Sequence, residues 1–201
     1  MAQKKSTEKT DDGFKIGDKL KTLREKKKLT IHDLAAKSGV AKTILADIEE
    51  NKIIPPVATL LTIASALDVG MADFFSDDLT DETISLTRAS ERTKIKRRPH
   101  HIHEGEVSYI YESLETKKPK KHMEPLVVEY LPAETSDMVF TSHRGEEFVF
   151  LVEGSLEFRT NDRVEVLKPG DSLYFESHIN HSFRGLKNKS AKAIVVVWSR
   201  L

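Results

Sequence analysis

The chain has 201 residues, with 32 Lys+Arg against 32 Asp+Glu and no Cys. That length can hold two small cores, and the balanced charge leaves any attraction to nucleic acid to a local face. Without a thiol, a disulfide scaffold, a thiolate metal site and a Cys nucleophile are excluded. No apolar run approaches the ~18 residues of a membrane span. The first twelve residues are polar and lysine-rich, so the reading is a disordered tail over 1–12 on a cytoplasmic protein without a secretory signal.

Residues 13–76 carry a helical pattern. Ile16, Leu20 and Leu23 fall at helical spacing, followed by Leu34 and Ala35, by Ile44, Leu45 and Ile48, and by Leu60, Leu61, Ile63, Ala64 and Leu67. Thr30 with Asp33 three residues on predicts an N-cap, Gly39 a left-handed stop, and Pro55-Pro56 the opening of the next helix. The expectation is an all-α domain of five short helices.

After Asp78 the texture becomes β. Strands are predicted over 84–88, 107–114, 123–131, 138–141, 147–152, 155–159, 164–167, 172–175, 182–185 and 193–198, with turn signals such as Glu153-Gly154 and Lys168-Pro169-Gly170-Asp171 between them. Residues 77–105 read as a linker and edge strand, acidic at first and basic and His-rich over 92–104. Residues 106–201 read as an all-β antiparallel barrel or jelly roll, with 84 as an earlier alternative start. Two segments of this half carry His143, Glu147 and His181. Two imidazoles and a carboxylate suit a borderline divalent metal (Fe, Zn, Ni or Mn) with coordination positions left open. His178 and the run His100-His101-Ile102-His103 read as exposed side chains rather than ligands.

The helical half resembles the helix-turn-helix of lambda-repressor-like (xenobiotic-response-element family) regulators, on Leu20-Lys-Thr-Leu-Arg24, Leu29-Thr30, Leu34-Ala35, Gly39-Val40, Ile48-Glu49, Pro55, Thr59-Leu60-Leu61 and Ile63-Ala64. By that resemblance the helix over 41–50 enters the major groove, with Lys42, Thr43, Ala46 and Asp47 toward the bases and Thr30, Asn51 and Lys52 toward phosphates. Ala41 stands where the family usually has a Ser or Thr cap. The β half resembles the cupins on His143, Gly145, Glu147, Gly154, Gly170-Asp171 and His181, while Thr141 replaces the usual first histidine. The expected pocket wall includes Tyr109, Tyr111, Glu129, Phe140, Arg159, Tyr174, Phe183 and Trp198.

The combined order resembles helix-turn-helix transcriptional regulators with a C-terminal cupin sensor. That implies a double-stranded DNA operator, a small-molecule effector or metal, and a homodimer matched to two half-sites. It is also similar to the mononuclear iron epoxidases that act on hydroxypropylphosphonate. That alternative implies iron on His143, Glu147 and His181, Lys28 closing on the substrate, and Tyr111 in the pocket.

Overall fold

The computed structural model describes residues 15–75, 82–92, 94–97, 109–119 and 121–198. Four α-helices come first: α1 (Ile16–Lys26), α2 (Ile31–Ser38), α3 (Lys42–Glu49) and α4 (Val57–Leu67). Where a fifth helix was expected there is a single 3-10 turn, Met71–Phe74. Asp68 has already left the helix in the left-handed conformation (φ 53°), and Gly70 restarts the chain in extended geometry. The 1–12 tail and most of the acidic connector lie outside the described residues.

Local chemistry sets the helix ends. Thr30 and Asp33 form the predicted reciprocal cap: Asp33 N–H donates to Thr30 Oγ1 at 3.1 Å, and Thr30 N–H donates to Asp33 Oδ2 at 2.8 Å. Gly39 ends α2 at φ 71°. Helix α3 starts at Ala41 without a side-chain cap. Inside, Leu20, Leu34, Leu45, Ile48, Leu60 and Ile63 are fully buried. Arg24 ties α1 to α3 by two hydrogen bonds to Glu49, at 2.6 and 2.8 Å, and donates a third to the Leu29 carbonyl.

Nine strands follow: β1 (Lys94–Arg97), β2 (Tyr109–Ser113), β3 (Met123–Tyr130), β4 (Glu146–Glu153), β5 (Leu156–Thr160), β6 (Val164–Leu167), β7 (Ser172–Glu176), β8 (His181–Gly185) and β9 (Ala191–Trp198). They form a six-stranded sheet, β1-β2-β3-β9-β4-β7, and a three-stranded sheet, β6-β5-β8, with antiparallel ladders throughout. Strand alternation puts Leu126, Val128, Val149, Leu151, Val195 and Val197 inward, where the Phe158, Phe175 and Phe183 rings pack between the sheets.

Two strand expectations change. Residues 84–88 form no ladder, and Ser85 and Leu86 are held by Glu115 and Lys117. Residues 138–141 supply only one bridge, Thr141 to His181. The 77–105 stretch, read as linker and edge strand, contributes β1, which stands at the edge of the six-stranded sheet and pairs with β2.

The two halves share one apolar core and meet at specific contacts. Val57 N–H, at the start of α4, donates to Tyr109 Oη at 3.2 Å. On β3, buried Glu124 accepts from the Met71 backbone and pairs with Lys121 at 2.9 Å. Burial pushes its carboxyl up to about 7, against the pull of Lys121. No helix described here is long and apolar enough to cross a membrane.

Two outcomes follow from these contacts. Glu49→Ala strands the Arg24 guanidinium, whose side chain is 12% exposed, and should cost about 3 kcal/mol in chemical denaturation. Because the folded Glu124 holds its proton above the ordinary value of 4.5, stability should fall as pH rises from about 4.5 to 7. Glu124→Gln should flatten that slope in Tm-against-pH measurements.

Candidate functional site

The centre of the β half is built at the starts of two strands, β4 and β8, and on the loop before β4. Glu147 points inward from β4, between outward Glu146 and Phe148. His143 lies four residues earlier, on a loop whose backbone pairs with Ser177, and His181 opens β8. His143 Nε2 is 2.6 Å from Glu147 Oε1, and His181 Nε2 is 3.4 Å from the same oxygen. One ligand atom from each residue lies within 4.8 Å of the others.

The other ring nitrogens face backbone carbonyls: His181 Nδ1 lies 2.8 Å from Ile179 O, and His143 Nδ1 lies 3.2 Å from Arg144 O. Those bonds fix the rings so that both Nε2 atoms face the centre, the usual outer-shell arrangement around a metal-binding imidazole. His181 is further wedged by Phe175, with ring centroids 4.8 Å apart.

The charges are mutually compensated. Burial alone would raise Glu147, but hydrogen bonds and charge from His143 and His181 bring it down to about 2. Burial disfavours the charged His143 ring, yet the Glu147 hydrogen bond and charge raise its pKa above the ordinary value. The donor set fits a divalent cation: three N/O ligands converge, a carboxylate supplies charge, and open directions remain.

Beside the cluster lies a cavity of about 100 Å³. Its lining includes His143, His181, Thr141, Tyr109, Tyr130, Met138 and Phe183 from the β half, and Pro56, Val57 and Ala58 from the helical half. At ~10–15 Å³ per water-sized group this is room for roughly seven to ten such groups. None of the lining residues is Lys or Arg.

The sequence-predicted pocket residues divide accordingly. Tyr109 and Phe183 line the cavity. Tyr111 is fully buried but is packed elsewhere in the core. Arg159 turns back to Glu157 at 2.8 Å on β5. Tyr174, 62% exposed, and Trp198 and Glu129 occupy outward positions on the large sheet, and the Tyr174 hydroxyl donates to Glu146. Phe140 is not part of the lining, and Lys28 sits exposed after α1, outside the cavity. Tyr130 and the 56–58 segment were missed. The inward parity of β3, shared with Leu126 and Val128, would have found Tyr130; nothing local marks Pro56–Ala58, which arrive through tertiary packing. His178 is exposed beside Glu176, and the 100–103 histidines lie outside the described residues.

On the helical half, Lys42 and Thr43 are exposed at the start of α3, with Ala46 and Asp47 half-buried behind them. The expected phosphate contacts have other duties. The Thr30 hydroxyl is the α2 cap. Asn51 accepts from Gly17 N–H at 3.0 Å and donates to Asp18 at 2.9 Å, and Lys52 is paired with Glu50.

Comparison with known proteins agrees with this division. The helix-turn-helix family matches residues 20–74, and the cupin domain family matches residues 126–197. The chain joins a helix-turn-helix domain to a C-terminal cupin domain. It is 22% identical to the HTH-type transcriptional regulator PuuR of Escherichia coli over 87% of this chain and 89% of that one. A solved helix-turn-helix transcriptional regulator from Vibrio cholerae has the same fold, with TM-score 0.64 and 23% identity over 92% of this chain and 96% of that one. The chain is also 33% identical to the (S)-2-hydroxypropylphosphonic acid epoxidase of Streptomyces wedmorensis, over 44% of this chain and 48% of the enzyme. A solved iron(II) form of HppE superposes with TM-score 0.50 and 26% identity over 91% of this chain and 97% of that one.

Titration calorimetry with Zn(II), Mn(II) and anaerobic Fe(II) should give one site per chain, and His143→Ala or His181→Ala should weaken it at least tenfold. Protons compete for the imidazoles, so apparent affinity should fall as pH drops through the raised His143 range. Unchanged binding in both variants would place the metal elsewhere.

Proposed function

We infer that this chain is a sequence-specific DNA-binding transcriptional regulator, working in the cytoplasm as a homodimer, whose cupin half senses a small molecule, a divalent metal, or both. Helix α3 enters the major groove, with Lys42 and Thr43 toward base edges. Lys26, Lys27 and Lys28, exposed around the end of α1, supply phosphate contacts. His143, Glu147 and His181 hold the metal.

The observation that carries the reading is the shared cavity. Its floor is the His143–His181 side and part of its wall is Pro56–Ala58, just beyond α3 in sequence and at the head of α4. A molecule that fits only one placement of this segment has different affinities for the two arrangements of the DNA-reading half. Only such a difference shifts DNA binding.

A second reading, a mononuclear iron oxygenase acting on a small phosphonate or hydroxylated acid, is favoured by the two-His, one-carboxylate cluster. The cavity speaks against a phosphonate substrate. A doubly charged oxyanion needs Arg or Lys donors, and among the described residues none lines the space; Lys28 is outside it.

Footprinting on the chain's own upstream DNA should show a protected two-fold site with salt-sensitive affinity. Lys42→Ala should weaken it at least tenfold and relax base preference. Ala58→Phe, which fills the cavity from the helical side, should change operator affinity about fivefold or more and abolish any effector response. Absence of specific binding at low salt would end the regulator reading. Oxygen uptake with 2-hydroxyalkylphosphonates that is lost in His143→Ala would instead support the oxygenase.

A further inference from the structure

The outer face of the six-stranded sheet is apolar where a solvated face would be polar. Met123 on β3, Ile194 on β9, Phe148, Phe150 and Val152 on β4, and Tyr174 on β7 are all exposed, Met123 by 61% and Phe148 by 40%. Register makes them neighbours. Phe148 sits between Tyr174 and Val196, Phe150 opposite Ile194, Met123 opposite Trp198, and Val127 opposite Ile194. Strands ~4.8 Å apart and a rise of ~3.3 Å per residue give a footprint on the order of 400 Å² before side-chain relief is counted. The largest apolar patch of an ordinary monomer is about this size and is often functional; it is about half the ~800 Å² per partner of a standard interface, so a docked partner must cover the bordering polar residues as well.

We propose that this face, centred on Phe148, Phe150 and Ile194, is where a second copy of the chain docks. The surface is self-complementary. A two-fold axis crossing the strands exchanges Ile194 with Val196, Phe148 with Phe150, and Lys192 with Trp198, following the β9 and β4 registers. Lys192 of each copy then lies over the Trp198 ring and beside Glu146 of the other, so cation and anion face one another at both ends. The centre carries aromatic and aliphatic side chains, and the charges Glu146, Glu129 and Lys192 stand at the rim, as in homodimer interfaces. This inference rests on the homodimer of the functional reading and adds its surface. It also fixes geometry: Glu147 points inward from the strand that carries Phe148 outward, so each sensing centre backs directly onto the junction.

Light scattering on the full chain at micromolar concentration tests it. Wild type should show twice the 22.8 kDa chain mass. Phe148→Glu and Phe150→Glu should raise the dimer dissociation constant at least tenfold, with unchanged circular dichroism because both side chains point out. Val166→Glu, equally exposed but on β6 of the other sheet, should stay dimeric. Lys192→Glu should weaken the dimer, and adding Glu146→Lys should restore it, which keeps the test decisive if the Phe variants misfold. A monomeric wild type would overturn both the dimer and its surface. A dimer insensitive to the Phe and Lys192 changes would overturn the surface alone.

Discussion

Placing Glu147 inside an apolar shell at 6% exposure is costly unless its charge is answered, and two imidazole Nε2 atoms answer it on one oxygen. That single compensation dictates the rest of the centre. His143 must come from a loop close to the start of β4, and His181 must open β8 opposite. The backbone bridge between Thr141 and His181 and the His143 bond to Ser177 hold those loops in place. A cation would replace an existing electrostatic arrangement rather than create one. The three side chains are thus already converged by their own charges.

The second constraint is the junction between the halves. It is made of few polar contacts on a shared apolar core: Tyr109 with the head of α4, and Glu124 with the backbone of the 3-10 turn. Each leaves a group of one half dependent on a group of the other. Burial disfavours the charged form of Glu124, so rising pH weakens the packing at this junction even though Lys121 and the Met71 backbone favour the charge.

Much of this was legible in residue order. The Thr30–Asp33 cap, the Gly39 stop, and the parity of β3, β4 and β9 follow from periodicity and turn chemistry, while the grouping of His143, Glu147 and His181 came from their donor chemistry and the resemblance to cupins. What was not legible depended on tertiary choices. Tyr174 and Trp198 are aromatic and alternate correctly, but which parity faces the cavity is decided by the sheet as a whole. Arg159 was captured by a neighbouring carboxylate. Thr30 and Asn51 were placed toward phosphates by resemblance alone, which could not reveal that Asn51 also holds the start of α1. Strand β1 falls in the stretch read as linker and edge strand, but its bounds were hidden because its Lys-rich sequence lacks the apolar alternation that marks a strand.

Strand β4 ends in a ladder irregularity between Leu151 and Glu153, followed by Gly154 at φ 87°, where a Cβ would lie 2.6 Å from the Ser190 carbonyl. The hairpin is pinned at that end, so it has no slack to absorb an added or lost residue. A one-residue insertion between Phe150 and Leu151 would exchange the two sides of the ribbon before it, turning Glu147 outward to water and the Phe148 and Phe150 rings inward. Composition would barely change, yet the ion centre and the outer contact surface would vanish together. Length variation in descendants of this chain should therefore gather in the loops flanking the strand and spare the strand itself.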